Sequence, residues 1–222
     1  PEAIRAAKAA GFDAVECHWP YDVPPDQVRA ALEETGLPML GINTRRGDVA
    51  AGENGLAAVP GREHEALDAI NEAVDYAAAI GARAVHVMAG NASGDTAHRL
   101  FVSNLRAAAD LAKPRGIAIL IEPLNRYDAP AYFLRDTEQA RRIIDETAEA
   151  NIKLMFDCYH VGRTEGDVAA RLADLLPIIG HIQFASVPDR GTPDHGDVDY
   201  QKLFARIEAL GWTEPLGAEY KP

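Results

Sequence analysis

Four oxygen-bearing side chains stand at the ends of short apolar runs that lie far apart along the chain. They are Glu122 in IAILIEP, Asp157 in IKLMFDCYH, Gln183 in GHIQFA and Glu219 in PLGAEYKP. If the fold gathers them, three buried carboxylates without a cation would cost several kcal/mol for each unpaired charge. Carboxylate and amide oxygens suit a hard divalent ion such as Mg²⁺ or Mn²⁺, whereas Zn²⁺ favours Cys and His ligands. The residue types therefore predict a Mg²⁺ or Mn²⁺ site.

The two glutamates of this set could also transfer protons. To move a carbonyl between neighbouring carbon atoms, a proton beside the carbonyl is removed and one is returned to the next carbon. The intermediate is an enediolate, whose charge must be stabilised where it develops. A metal that binds the carbonyl and hydroxyl oxygens of a substrate would do this as a Lewis acid. We expect Glu122 and Glu219 to be the acid–base pair, and the sequence leaves open which of them removes the proton.

The elements that would position these residues follow one repeated pattern. A helix-like stretch ends at glycine, an apolar run rich in β-branched residues follows, and the run closes on a polar residue. The pattern predicts seven strands, as in PPDQVRAALEETG before PMLGIN and DTEQARRIIDETAEA before IKLMFD. In the second of these units Asp136 is expected to cap the helix, with Gln139 in the capping-box position. Helices that alternate with apolar strands predict a parallel sheet covered by helices.

Such a sheet is either open and doubly wound or closed into a barrel. The chain begins with a helix and stops after a strand, so one strand before Pro1 and one helix after Pro222 would complete a barrel. Its 222 residues also fall short of the about 250 usual for that fold. We predict one (β/α)8 TIM-barrel domain over residues 1–222, lacking its first strand and last helix. The four oxygen-bearing residues would then end strands five to eight, on the face where barrel active sites lie.

Composition and charge restrict the class of protein. Hydrophobic residues make up 47% and charged residues 25% of the chain, as in ordinary globular proteins. With 34 acidic and 22 basic residues the net charge is −12, which disfavours nucleic acid and anionic membranes as partners. No apolar run approaches the length of a membrane span. Cys17 and Cys158 form no CxxC pair, so a reducing, cytoplasmic location is expected.

Several segments resemble hydroxypyruvate isomerases, which belong to the xylose isomerase-like TIM-barrel superfamily. These segments are AAGENGLAAVPGRE (50–63), LIEPLN (120–125), DCYHVGRTEGD (157–167), GHIQFASVPDRGTPDHGDVDY (180–200) and GAEYKP (217–222). The resemblance covers nearly the whole chain in order, and PGRE and EYKP are its more specific parts. It implies a Mg²⁺- or Mn²⁺-dependent interconversion of hydroxypyruvate and tartronate semialdehyde.

The resemblance also assigns roles to residues. It implies that Glu122, Asp157, Gln183 and Glu219 are the metal ligands and that the two glutamates are the paired catalytic carboxylates. Many epimerases and isomerases of the wider superfamily have histidine where Gln183 stands, whereas glutamine is shared with the hydroxypyruvate isomerase branch. Gln183 therefore favours that branch over the keto-sugar epimerases.

Two candidates for substrate contact lie shortly after the predicted ligands. His160 comes three residues after Asp157, at the mouth of the following loop, where it could hydrogen-bond a substrate oxygen. Asp128 comes six residues after Glu122 and could hydrogen-bond a substrate hydroxyl or cap a loop. We include both in the predicted pocket.

Two further candidates come from other segments. Arg190 could bind a substrate carboxylate, because an anion held by a protein of net charge −12 needs a local cation; an ordinary surface arginine is the alternative. Glu16, at the end of FDAVE, faces the same rim. His181, two residues before Gln183 on the same side of its strand, would support Gln183 or fill the barrel.

The connection from Thr44 to Arg62 is long for a compact barrel and contains four glycines. Connections of this length are usually functional or mobile. We expect either a lid over the site or a contact between subunits, and a homo-oligomer is compatible with the second.

Other functions stay open as alternatives. A four-carbon 2-oxo acid (2-oxo-tetronate) isomerase and a keto-sugar 3-epimerase would use the same metal and glutamates. An endonuclease-like phosphodiesterase would need a histidine-rich zinc cluster and a basic face, which seven scattered histidines and a charge of −12 do not supply. A non-catalytic sugar-binding barrel would be expected to have lost a ligand, and all four are present. A small hydroxy-carbonyl acid is therefore the expected substrate.

Overall fold

The computed structural model describes residues 1–221 as seven parallel strands alternating with eight α-helices. The strands are β1 (Val15–Cys17), β2 (Met39–Asn43), β3 (Ala84–His86), β4 (Ala118–Ile121), β5 (Ile152–Asp157), β6 (Ile179–Phe184) and β7 (Gly217–Ala218). The α-helices are α1 (Glu2–Ala9), α2 (Pro25–Thr35), α3 (Glu63–Ile80), α4 (Gly94–Ala112), α5 (Thr137–Thr147), α6 (Cys158–Thr164), α7 (Val168–Leu175) and α8 (Tyr200–Ala209). Two 3₁₀ turns, Lys113–Arg115 and Leu176–Ile178, follow α4 and α7.

The strands pair in the order in which they occur in the chain, and every pairing is parallel. This topology, with helices joining consecutive strands, confirms the predicted TIM-barrel fold class. Within residues 1–221, β1 and β7 are the edges of the sheet, and an eight-stranded barrel places one more strand between such edges. No helix in the same residues is long and apolar enough to cross a membrane.

Successive residues of each strand face opposite sides of the sheet. Ile119 and Phe156 belong to the large apolar layer between the sheet and the helices, and both are fully buried. Their neighbours Leu120 and Met155 form a separate small cluster with Ala84 on the inner side. The inner side therefore holds apolar residues in the middle of the barrel. The same alternation carries the next inward residues of β4 and β5 to the rim where the strands end.

The helices α5 and α6 each begin after an aspartate that caps the helix. Asp136 caps α5 as predicted, because its carboxylate accepts a hydrogen bond from the Gln139 amide at 2.7 Å. The segment after Asp157 was expected to be a loop, and this was wrong: it is the helix α6, and the Asp157 carboxylate accepts from the Tyr159 amide at 2.8 Å. A helix of about two turns has too few residues to display an apolar period, whereas an aspartate at its start satisfies its free amides.

The long connection between β2 and α3 is partly fixed to the barrel. Ala57 and Ala58 donate backbone hydrogen bonds to the carbonyls of Met88 and Ala89, at 3.2 and 2.7 Å. The buried Asn104 side chain donates to the Ala57 carbonyl at 2.8 Å. This half of the connection is a fixed wall of the rim, and the expected lid can only involve the exposed half before it.

Candidate active site

Three buried side chains meet at the rim between β4, β5 and α6. Glu122 directly follows β4, Asp157 ends β5 and His160 lies in the first turn of α6. The His160 Nε2 atom is 3.7 Å from Glu122 Oε1 and 3.6 Å from Asp157 Oδ2. One ligand atom from each of the three residues lies within 4.8 Å of the other two. The arrangement could hold a metal ion.

Gln183 and Glu219 lie on the neighbouring strands. Gln183 is the register partner of Asp157 on one side and of Gly217 on the other, and Glu219 follows Gly217 by two residues. Gln183, Glu219 and Glu122 line one internal cavity at the barrel axis. The four predicted ligand positions are therefore brought to one region of the rim.

Three oxygen atoms of this group have no hydrogen-bond partner although they are buried: Glu122 Oε1, Asp157 Oδ2 and Gln183 Oε1. Buried polar atoms are almost always satisfied in folded proteins, so three unsatisfied oxygens in one place require an explanation. Two carboxylate oxygens and one amide oxygen are the donors that Mg²⁺ and Mn²⁺ prefer. The residues present therefore fit a hard divalent ion.

The carboxyl groups of this centre are poorly suited to carrying their charges without a cation. Burial raises the pKa of Glu122 well above its usual range, and the charges of Glu219 and Asp157 raise it further. Burial, reinforced by Glu219, raises the pKa of Asp157 to about 7. A bound divalent ion reverses both effects, because it favours the ionised forms.

Glu219 lies in a different electrostatic environment. Its Oε1 is 3.1 Å from His18 Nε2 and its Oε2 is 3.0 Å from an Arg190 nitrogen. Burial by itself would raise the pKa of Glu219, but the His18 hydrogen bond and the Arg190 charge outweigh it and lower the pKa to about 2. The same hydrogen bond raises the pKa of His18. Without a metal, Glu219 therefore holds its negative charge more readily than Glu122 does.

Arg190 points into the site instead of lying on the open surface. Its backbone adopts a left-handed conformation with φ of 60°, and its amide donates to the Ser186 carbonyl at 2.9 Å. The guanidinium stands over the Tyr159 ring, 5.1 Å from the ring centre, and only 20% of the side chain is exposed. A non-glycine residue held in this backbone region is a frequent feature of functional loops. Arg190 is thus held at the rim beside Glu219, and its contact with a substrate carboxylate stays a prediction.

His160 is oriented by a backbone donor. Its Nδ1 accepts a hydrogen bond from the Asn125 amide at 3.0 Å, so the neutral ring carries its proton on Nε2. Burial lowers the pKa of His160 to about 4, which keeps the ring neutral at physiological pH. The Nε2–H group then points towards Glu122 and Asp157 as a donor. In this protonation state His160 can donate a hydrogen bond to a bound oxygen, and it could join Glu122 and Asp157 as a metal ligand only if Nε2 lost its proton.

Asp128 and Glu16 were predicted as substrate contacts, and in this structure both bind protein donors. Asp128 Oδ2 accepts from the Tyr159 hydroxyl at 2.7 Å and from the Asn125 side chain at 3.0 Å. Glu16 accepts from Gln183 Nε2 at 3.1 Å and lies 2.8 Å from His181 Nε2. Their direct contact with a substrate stays a prediction. His181 was expected to support Gln183 or to fill the barrel; it lies beside Glu16, the residue that accepts the hydrogen bond of Gln183.

Sequence reasoning passed over three residues of the site. His18 contacts Glu219, Asn125 orients His160, and His86 lies 3.7 Å from Glu122 Oε2. His86 is buried with both ring nitrogens unpartnered, and burial lowers its pKa to about 3. The position of His18, two residues after Glu16 on the same strand face, and of His86, at the end of an apolar run, could have pointed to them. Asn125 acts through both its backbone amide and its side-chain Nδ2, which lies 2.8 Å from His160 Nδ1, and it leaves no signal in the sequence.

Comparison with known proteins relates this geometry to a family. The family model described as xylose isomerase-like TIM barrel matches residues 4–222. The chain is 43% identical to a 2-oxo-tetronate isomerase of Cupriavidus necator, over 99% of this chain and 86% of that protein. It is 38% identical to the hydroxypyruvate isomerase of Escherichia coli K12, over 98% of this chain and 87% of that protein. A Brucella melitensis crystal structure described as AP endonuclease, family 2, superposes with a TM-score of 0.96 at 37% identity, covering 100% of this chain and 87% of that one.

Proposed function

Because the chain belongs to the xylose isomerase-like TIM-barrel family, we propose that it is an aldose–ketose type isomerase that interconverts hydroxypyruvate and tartronate semialdehyde. The observation that carries the proposal is the convergence of unpartnered carboxylate and amide oxygens at the rim, beside two glutamates in unlike electrostatic environments. Paired titratable groups with opposed pKa shifts are the usual arrangement for acid–base work. The reaction removes a proton from C3 of hydroxypyruvate and returns one to C2, through an enediolate.

We propose Mg²⁺ or Mn²⁺ as the cofactor and Glu122, Asp157, Gln183 and Glu219 as its ligands. When bound, the ion supplies Lewis-acid stabilisation of the negative charge that develops on the substrate oxygens. The donor set supports the choice of a hard ion, because it contains three carboxylates, one amide and no thiolate.

The side chains of this chain have separate tasks in the proposed reaction. Glu122 and Glu219 hold and move the proton between C3 and C2. Glu219 is ionised before a metal ion binds, so it has the charge that a base requires. His160 donates from Nε2 to a substrate oxygen, since Asn125 occupies its other nitrogen. The buried walls around these groups exclude water, which strengthens each of these interactions.

We assign Arg190 to the substrate carboxylate. A three-carbon 2-oxo acid brings one negative charge to a protein of net charge −12, so a cation must face it at the site. Arg190 faces Glu219 at 3.0 Å and is braced by the Tyr159 ring. A neutral sugar has no anionic group for that guanidinium to bind. Arg190 therefore favours an acid over a keto-sugar, the substrate of a 3-epimerase.

A second candidate is the isomerisation of 2-oxo-tetronate, a four-carbon acid of the same class. It is favoured by the relative that is 43% identical over 99% of the chain. The chemistry, the metal and the carboxylate anchor would be unchanged, and only the room beyond the reacting carbons would differ.

Location and partners are also proposals. We expect the protein to act in the cytoplasm on a small hydroxy-carbonyl acid, since both cysteines are free thiols. The surface charge supports neither nucleic acid nor an anionic membrane as a partner. The exposed half of the 44–62 connection is where we expect contact between copies in a homo-oligomer, and light scattering would test this.

The deciding experiment is proton NMR of hydroxypyruvate in D₂O, with Mg²⁺ present and then after EDTA. We expect metal-dependent loss of the C3 proton signal and appearance of tartronate semialdehyde. The Glu219→Gln variant should abolish the exchange, and Glu208→Gln, an exposed glutamate on α8, is the matched control. Exchange with 2-oxo-tetronate alone would favour the second candidate. Exchange with neither acid would refute the proposed reaction and leave a keto-sugar 3-epimerase or a non-catalytic sugar-binding barrel as the alternatives.

A further inference from the structure

Gln183 differs from the other proposed ligands because its side chain ends in both an oxygen and an NH₂ group. Only the oxygen can bind a cation, and the two ends of the amide have nearly the same shape. Rotation by half a turn about the last side-chain bond would present the NH₂ group to the ion and abolish ligation. A glutamine ligand therefore needs a neighbour that decides which end faces the metal.

Glu16 is the neighbour that selects which end of the Gln183 amide faces the metal site. The Gln183 Nε2 group donates to Glu16 Oε1 at 3.1 Å, and Gln183 Oε1 is left buried without a partner on the other side. A carboxylate only accepts hydrogen bonds, so it attracts the NH₂ end and repels the oxygen end. The amide oxygen is thereby turned away from Glu16, and it is buried without a partner.

His181 contacts the Glu16 carboxylate, and Gly217 leaves space for it. His181 Nε2 lies 2.8 Å from the second oxygen, Glu16 Oε2. Gly217, on the adjacent strand β7, leaves room for the carboxylate: a Cβ atom there would stand 2.5 Å from Glu16 Oε1 and 2.9 Å from His181 Nε2. The absence of a side chain at residue 217 is thus a condition for the contact between Glu16 and Gln183.

We propose that Glu16 is a positioning residue that orients the Gln183 amide, so that Oε1 and not Nε2 faces the divalent ion. The inference rests on the proposed metal-dependent function. It gives Glu16 a task that is distinct from its predicted contact with the substrate.

The test is a double-mutant cycle read by the dissociation constant of Mn²⁺, measured by electron paramagnetic resonance at fixed pH. In the otherwise unchanged protein, Glu16→Gln should weaken Mn²⁺ binding about 10–100-fold, the usual cost of losing an outer partner of a ligand. In the Gln183→Glu background the same Glu16→Gln change should tighten binding. There the new amide at position 16 donates to the carboxylate at position 183, which the native Glu16 would repel.

The sign reversal separates orientation from simple charge. If Glu16 acts only through its negative charge, Glu16→Gln weakens Mn²⁺ binding in both backgrounds, and that result would overturn the proposal. Gly217→Ala is a second variant, whose Cβ would press on both the Glu16 carboxylate and Gln183 Cγ, at 2.5 and 2.8 Å, without removing charge. It should also weaken Mn²⁺ binding, and an unchanged dissociation constant would contradict us.

The outcomes also separate this inference from the proposed function. Failure of the wild-type protein to bind Mn²⁺ would refute the metal site and this inference together. Measurable wild-type binding with the same sign in both backgrounds would refute only the positioning role. Melting temperatures of each variant, with Glu208→Gln as the exposed control, show whether the fold is retained.

Discussion

Relative to Asp157→Asn, the metal-free protein should lose stability as the pH rises from about 5 to about 8, and saturating Mn²⁺ should remove that loss. The comparison cancels the contributions of His86 and His160, whose pKa values, lowered to about 3 and about 4, favour the fold as the pH rises. The pKa of Asp157 in the fold is about 7, above the ordinary 3.8 that it has when unfolded. Between these values the folded state binds a proton that the unfolded state has released, so the free energy of unfolding falls as the pH rises. Glu122 is shifted in the same direction. Glu219, whose pKa is lowered to about 2, contributes a constant amount over this interval.

The size of the effect follows from the displacement of the pKa. Raising the pKa of Asp157 from the ordinary 3.8 to about 7 costs on the order of 4 kcal/mol once the group is ionised, and about two of these pH units lie above pH 5. The loss between pH 5 and pH 8 is therefore about 3 kcal/mol, which for a chain of 222 residues corresponds to roughly 8 °C in Tm. Bound Mn²⁺ interacts with the ionised carboxylates, so its stabilising effect should grow over the same pH interval.

The assay is thermal unfolding followed by circular dichroism across this pH range, with EDTA and then with saturating Mn²⁺. Asp157→Asn can still accept the Tyr159 amide hydrogen bond at the start of α6, because asparagine is also a good helix cap. The variant should lack the part of the pH dependence that Asp157 contributes, and it should lose the response to Mn²⁺. Asp145→Asn, an exposed carboxylate on α5, should change neither. A difference in metal-free Tm, wild type minus Asp157→Asn, that is constant or rises from pH 5 to pH 8 would refute the reasoning.

Three further predictions concern single side chains of the site. Glu122→Gln and Glu219→Gln should each fold and lower kcat about 10²–10⁴-fold, since each removes a proton-transfer group; turnover near that of the wild type in either would contradict the assignment. Arg190→Ala should raise KM for 2-oxo acids more than for neutral keto-sugars, and an equal rise for both would remove Arg190 as the carboxylate anchor. His160→Asn should lower kcat about 10²-fold while changing Mn²⁺ affinity little, because His160 is a donor; a large loss of Mn²⁺ affinity would show that it is a ligand.

The fold could be predicted because each strand carries its own local signal. The run IKLMFD was predicted as a strand and is β5 with the same bounds, Ile152–Asp157. The ligand positions followed from that prediction, since residues that end parallel strands share one rim. The helix α6 was missed because its seven residues present a cap and no apolar period.

The partners of the site residues could not be predicted in the same way. Glu16 and Gln183 are separated by 167 positions in the chain, and His18 and Glu219 are further apart still. Such pairs arise only when the barrel brings β1 towards β7, and no local pattern encodes the distance between two side chains on those strands. The sequence placed Glu16 and Arg190 at the rim, but their contacts depend on Gly217 and on the left-handed backbone at Arg190.

Glu122 and Asp157 were the easiest site residues to find in the sequence. They are also the residues whose burial is least favourable for the stability of the fold by itself. Apolar strands that end in carboxylates place Glu122 and Asp157 where burial opposes their ionisation, and neither side chain is neutralised by a close cation. In a protein selected for stability alone, neutral residues at these positions would be favoured, because removing an uncompensated buried carboxylate is stabilising. Their presence supports the proposal that a metal ion bound at the rim offsets the cost. The same conflict between burial and charge makes the site visible in the sequence and makes the metal-free fold sensitive to pH.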